Sequence, residues 1–199
     1  METSASILEF WFGTAADQVA IAEQQSSLWW SKNEATDRLI QQRFEPLVVA
    51  AGQGKLDDWL ASATGHLALI LLTDQFPRNI YRDTPQAFAS DDRVRHWCKQ
   101  GLETGRDREL RPVERLFFYL PLEHSEDRAD QQRCVALLRQ LAAEVAPRLQ
   151  PTFENFVDFA LRHQVIVERF GRFPHRNAIL GRQSTPEEQE FLQQPGSSF

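Results

Sequence analysis

Two stretches of the chain place the same chemistry in the same order. They are Phe76-Pro77-Arg78-Asn79-Ile80-Tyr81-Arg82-Asp83-Thr84-Pro85 and Phe173-Pro174-His175-Arg176-Asn177-Ala178-Ile179-Leu180-Gly181-Arg182-Gln183-Ser184-Thr185-Pro186. Each runs Phe-Pro, Arg-Asn, an apolar residue, Arg and Thr-Pro, just after a strongly apolar segment. A planar guanidinium receives carboxylate or phosphate through two parallel N–H bonds. Arg78 and Arg82 therefore read as an anion clamp, with Asp74 holding one guanidinium and Asn79 adding an amide. The same residues also have a structural use, because Arg78 and Asn79 can satisfy carbonyls left open where the preceding helix ends.

The second copy is richer, with His163, Arg169, Arg172, His175, Arg176 and Asn177 on or after one helix. Arg162 and Arg169 are seven apart and share a helical face, whereas His163 and Arg169 do not. His163 sits among Phe159, Ile166, Val167 and Phe170, so a hydrogen-bonded core histidine and a catalytic base both stay open. Arg172 and Arg176 fall in a loop, where a rigid scaffold usually carries its site. A third cluster, Glu123-His124-Ser125-Glu126-Asp127, offers an acid and base pair or oxygen and nitrogen metal ligands. Ser125, Glu126 and Asp127 equally start a helix with acids against its positive end, which leaves Glu123 and His124 to pair with the Arg loops. No His-x-x-x-His, Glu-x-x-His or Cys-x-x-Cys spacing occurs, so no metal site is expected. The chain also has no Gly-x-Ser-x-Gly elbow, Gly-rich phosphate loop or dinucleotide fingerprint, and no cofactor is expected.

The elements that position these residues read as helices. In 199 residues the straight-chain helix formers Leu, Ala, Gln, Glu and Arg dominate, and the alternation of strands is missing. Helices are expected at Ser4 or Ser6 to Phe12, Asp17 to Trp30, and Asn33 to Ala51 with a kink or break at Pro46. Further ones follow at Leu56 to Ser62, Gly65 to Phe76 capped by Thr64, and Ser90 to Gly105. Pro112 opens the next, which Pro121 should terminate or kink; the last three span Asp127 to Ala146, Thr152 to Phe170 and Pro186 to about Gln194. Trp29 and Trp30 diverge by about 100° and cannot both face one core.

The net charge of −6 argues against a nucleic-acid partner, although Arg outnumbers Lys 19 to 3. Cys98 and Cys134 are the only cysteines and read as structural thiols. The longest apolar run, Leu67 to Leu72, is far short of the roughly 20 residues a membrane span needs. Met1-Glu2 opens the chain with an acid and no apolar leader follows, so a cytoplasmic location is expected.

The echoed loops resemble the bacterial family catalogued as domain of unknown function 924. So do Trp29-Trp30, Leu72-Thr73-Asp74-Gln75-Phe76-Pro77-Arg78-Asn79, Glu114 through Asp127, and Gly196-Ser197-Ser198-Phe199. The resemblance spans essentially the whole chain. It implies an all-helical protein with a tetratricopeptide-like superhelical arrangement, and it brings no activity, substrate or catalytic residue.

The sequence thus predicts an all-α fold, a right-handed α-α superhelix of antiparallel helix hairpins, tetratricopeptide-like with degenerate repeats. It would form one domain over 1–199, with pseudo-repeat halves near 1–105 and 106–199. The expected role is a binding scaffold for a small anionic molecule or acidic peptide through the Arg-Asn loops. The alternative is an enzyme acting on an anionic substrate, with Glu123, His124 or His163 as acid or base and Arg78, Arg172 and Arg176 as electrostatic stabilisers. An enzyme requires a base within reach of the space the arginines face; a scaffold requires only the arginines.

Overall fold

Leu, Ala and aromatic side chains form the buried faces of ten α-helices in the computed structural model, which describes residues 2–199 and has no strand among them. Met1, part of the N-terminal reading above, lies outside the described residues. Asp17, Asn33 and Asp127 each accept two amide hydrogen bonds at the starts of α2 (Gln18–Trp30), α3 (Glu34–Gly52) and α8 (Arg128–Glu144). These amides have no partner inside their own helix, so the caps fix where each begins. The first helix, α1 (Ser4–Phe12), is capped by Thr3 rather than Ser4 or Ser6, because Ser6 is the reciprocal partner in a capping box. Gly13 and Gly171, at φ 68° and 70°, end α1 and α9 (Gln150–Phe170) in a region that a side chain would strain.

The centre of the molecule is α4 (Ala63–Ile70), capped by Ser62 and not Thr64. It continues without a break through a π-helical turn, Leu71–Gln75, into α5 (Phe76–Ile80). Every residue from Gly65 to Pro77 is buried. Around this axis, α1, α6 (Asp91–Glu103) and α7 (Pro112–Glu123) pack on α4, while α3 packs on α5. Next, α8 covers α7 and lies along α9, and the short α10 (Pro186–Phe191) follows, opened by a Thr185–Glu188 capping box. A Cβ on Gly101 would collide with Phe118 and His66, so the close approach of α6 requires glycine there. Neither Pro46 nor Pro121 breaks its helix. Each costs one helical hydrogen bond, but burial of every residue from Leu116 to Glu123 holds α7 in register past Pro121.

Trp11, Phe12, Phe44, Phe76 and Phe117 interlock at the heart of the core, with ring centroids as close as 4.9 Å for Phe44 and Phe76. Burying each such ring contributes about 1.5–3 kcal/mol. The two adjacent tryptophans do diverge. Trp29 is buried and donates from Nε1 to the Trp11 carbonyl at 2.8 Å, while Trp30 is 52% exposed and stacks across Phe117. A second, small apolar cluster of Ile166, Val167 and Phe173, joined by Phe170 and Phe191, stands apart from the main core. Cys98 and Cys134 are free and buried. No helix among the described residues is long and apolar enough to cross a membrane.

Candidate functional site

The two echoed arginines, almost a hundred residues apart, converge on one carboxylate. Arg78, on α5, donates to both oxygens of Asp91 at 3.1 and 3.2 Å, and Asp91 is the first residue of α6. Arg176, at the end of the 3₁₀ turn Pro174–Arg176, places Nη1 3.6 Å from Asp91 Oδ2. The Phe88 ring lies beneath both guanidinium groups, 5.4 Å from Arg78 and 4.9 Å from Arg176. Phe173 faces Arg176 at 4.5 Å, so Arg176 has phenyl rings as its main neighbours.

Arg176 is only 6% exposed, its Nε is buried without a partner, and its side chain makes no hydrogen bond among the described residues. Burial and the adjacent charge of Arg78 push its pKa down to about 10, so it is still cationic at neutral pH. Leaving Nε buried without an acceptor is costly, because the hydration it lost has not been replaced, and the Asp91 carboxylate 3.6 Å from Nη1 offsets the charge without making a hydrogen bond.

Beside Arg176, the end of α7 meets the π turn. His124 caps α7, and its Nδ1 lies 2.8 Å from Asp74 Oδ1. Asp74 is fully buried and also accepts from Gln75 Nε2 at 2.6 Å, while an Arg78 nitrogen stands 3.5 Å away. Burial alone would raise the pKa of Asp74. The interaction with His124, the charge of Arg78 and the hydrogen bond from Gln75 overcome that and hold it well below the ordinary carboxylate range. Burial lowers the pKa of His124, aided by Arg78 and Arg176 and opposed by Asp74, so the ring is neutral at pH 7. With an ionised acceptor at Nδ1, that nitrogen carries the proton and Nε2 carries the lone pair. Gln131 of α8 fixes this corner by donating to the open carbonyls of Leu122, Glu123 and Ser125.

Asp74, Phe88, Asp91, His124 and Arg176 line one cleft of about 470 Å³, with Arg95 also in its wall and Arg78 behind Asp91. Most carboxylates in the wall are already paired: Asp91 as above, Glu126 with Arg182, and Asp127 with Arg95. Asp92 stands exposed at the rim. A second depression of about 560 Å³ lies between α8 and α9, where Arg139, Glu154 and Asp158 are all exposed.

Of the residues singled out by sequence, the structure brings Asp74, Arg78, His124 and Arg176 together at this cleft. Glu123 and His163 lie behind it. His163 Nδ1 donates to the Phe159 carbonyl at 2.9 Å and stands 3.4 Å from Glu123 Oε1, and its ring centroid is 6.3 Å from that of His124. Burial and the charge on Asp74 push the Glu123 carboxyl up to about 8, so it is protonated at pH 7. His175 lies beside Phe173 and Phe199, its Nδ1 buried without a partner. The remaining candidates fasten the fold. Asn79 and Arg82 both donate to Asp37, tying α5 to α3. Arg172 and Asn177 donate to Glu188, and Arg169 to Glu187, tying the second loop to α10. The sequence reading missed Phe88 and Gln131, and it took Asp91 only as a helix start; two consecutive acids at Asp91-Asp92 were the signal that one was surplus to that role. Among the described residues, no three His, Cys, Asp or Glu side chains converge in a metal-holding arrangement.

Fold and site together define an all-helical protein whose cleft sets a carboxylate-bound imidazole beside a buried cation that faces Asp91 but makes no hydrogen bond among the described residues. The chain belongs to the DUF924 family, described as bacterial proteins of unknown function, whose sequence model matches residues 7–196. It is similar to a solved structure described as "Structure of Protein of Unknown Function ATU0120 from Agrobacterium tumefaciens". The two share 38% identity and a TM-score of 0.80 over 96% of each chain. No curated protein matches the sequence.

Proposed function

We propose that the protein binds a small molecule through one anionic group, a carboxylate or phosphate, received by Arg176 in the cleft. The observation that carries this reading is the guanidinium itself: buried, cationic and without a hydrogen-bond acceptor. An anion supplies the acceptors the chain withholds, and Phe88 and Phe173 keep the planar group aimed. The cleft volume of about 470 Å³ suits a metabolite-sized ligand better than an acidic peptide. The Arg-Asn loops then divide their work. Arg176 binds, Arg78 and Asp91 position it, and the remaining loop cations hold the scaffold. This reading treats residues 1–199 as one cytoplasmic domain. Its successive packing of α7 on α8 and α8 on α9 supports a tetratricopeptide-like superhelix. Nucleic acid is no partner in it, given the net charge of −6.

Calorimetric titration with succinate and with inorganic phosphate tests the reading. At least one should bind the wild type, and Arg176→Met should weaken it by about 10- to 100-fold, the worth of a charge-assisted hydrogen bond. Methionine keeps the apolar stem against the phenyl rings, so the melting temperature of the variant should hold or rise. Unchanged affinity in Arg176→Met would overturn the assignment.

A further inference from the structure

We propose that His124 is a general base in this cleft, positioned by Asp74, and that it activates water for hydrolysis of a small ester carrying a free carboxylate. The inference rests on the anion reading above and deepens it by naming a reaction and a substrate class. Its basis is geometric. Asp74 is buried and held in place by Gln75 and Arg78, so its 2.8 Å contact fixes the orientation and tautomer of the His124 ring. The opposite nitrogen, Nε2, makes no hydrogen bond among the described residues, and the His124 side chain is 16% exposed where it lines the cleft. An imidazole with one nitrogen tied to a buried carboxylate and the other open to a cleft is arranged for proton transfer.

Nearby hydroxyl and thiol groups are otherwise committed. Ser125 Oγ donates to Asp130 at 2.9 Å, Cys98 Sγ contacts the Phe118 carbonyl, and both cysteines are buried with their thiol pKa values raised by burial. Water is therefore the nucleophile. His124 Nε2 takes a proton from water as the water oxygen bonds to the ester carbonyl carbon, whose π pair moves onto oxygen. On collapse, the bond from carbon to the alcohol oxygen breaks, and the departing oxygen receives the proton from Nε2. The imidazole ends as it began, and the products are an acid and an alcohol. Arg176 holds the distal carboxylate throughout.

The test uses 4-nitrophenyl hemisuccinate and, for comparison, 4-nitrophenyl acetate, which has the same leaving group but no anion. Wild type should hydrolyse the hemisuccinate above the buffer rate and prefer it to the acetate. His124→Asn keeps a donor toward Asp74 but removes Nε2, and should lower kcat at least 100-fold. Asp74→Asn removes a charge that favours the imidazolium, so it should lower kcat and move the acid limb of the pH profile downward. A merely structural Asp74 would leave that limb in place. Succinate titration of the same proteins separates the two proposals and reports folding. If wild type and His124→Asn both bind succinate but hydrolyse the hemisuccinate equally, or neither does, the base assignment is overturned and the anion site stands. If succinate and phosphate both fail to bind while hydrolysis still depends on His124, the base stands and the anion site falls.

Discussion

Glu123 and the histidines around it were taken out of water in their neutral forms, and the consequence is a pH dependence with two opposed limbs. Burial pushes His163 down to about 3 and His175 to about 4, from an ordinary 6.5. Below pH 6.5 the unfolded chain binds more protons than the folded one at these rings, so stability is full above that value and is lost as the pH falls. Glu123 works the other way. Its folded pKa of about 8 lies above the ordinary 4.5, so the native chain holds a proton that the unfolded chain has released. That part of the stability is present below pH 4.5 and is lost as the pH rises through 8. Glu123→Gln cannot ionise and should flatten the alkaline limb. In calorimetric scans, the melting temperature of the variant relative to wild type should climb between pH 5 and 9, at roughly 2–4 °C per kcal/mol for a chain this long. A constant difference across that range would mean that the native carboxyl is already ionised at pH 5, as in the unfolded chain, and that burial does not raise its pKa.

At the scale of elements, the two echoed loops are fastened by one acid on a neighbouring helix and one in the connection between two helices. Asp37 on α3 accepts three hydrogen bonds from Asn79 and Arg82, at 2.8 to 2.9 Å. Glu126, between α7 and α8, accepts two from Arg182 and one from the Phe173 amide. Asp37 touches neither Arg78 nor Arg176, so Asp37→Asn should cost about 1–3 kcal/mol of stability and leave succinate affinity unchanged. Lost affinity would show that the first loop acts on the cleft through its anchor.

Much of this scaffold was legible in the sequence. The helix starts read at Asp17, Asn33 and Asp127 are where those side chains cap α2, α3 and α8, and Thr185 caps α10, since a cap is a local contact over two or three residues. Prolines 46 and 121 left a kink or an end open, because a proline reports only the bond it removes, while the burial that keeps α3 and α7 continuous comes from distant helices. At the site, Asp74, Arg78, His124 and Arg176 stood out by type. That His124 pairs with Asp74, fifty positions away, depends on how α7 crosses the π turn, and no spacing rule contains that. The convergence of Arg78 and Arg176 on Asp91 was equally hidden, although the echo of their loops pointed to a shared design.

For the molecule as a whole, the cleft is built from parts with unequal anchorage. Asp74 and His124 belong to helices of the main core, whereas Arg176 follows Phe173, which belongs to the small separate cluster with Ile166 and Val167. A cluster that small opens at lower free energy than the main core. Amide protons over residues 172–192 should therefore exchange with deuterium sooner than those of α4 and α7. The wall bearing the guanidinium can then swing away while the wall bearing the imidazole stays folded. An anion seated on Arg176 is bound only in the closed arrangement, so it should slow exchange across 172–192 and leave α4 unaffected. Access to the cleft would then be timed by the breathing of the C-terminal segment, and the release of whatever is bound there would be as fast as that segment opens.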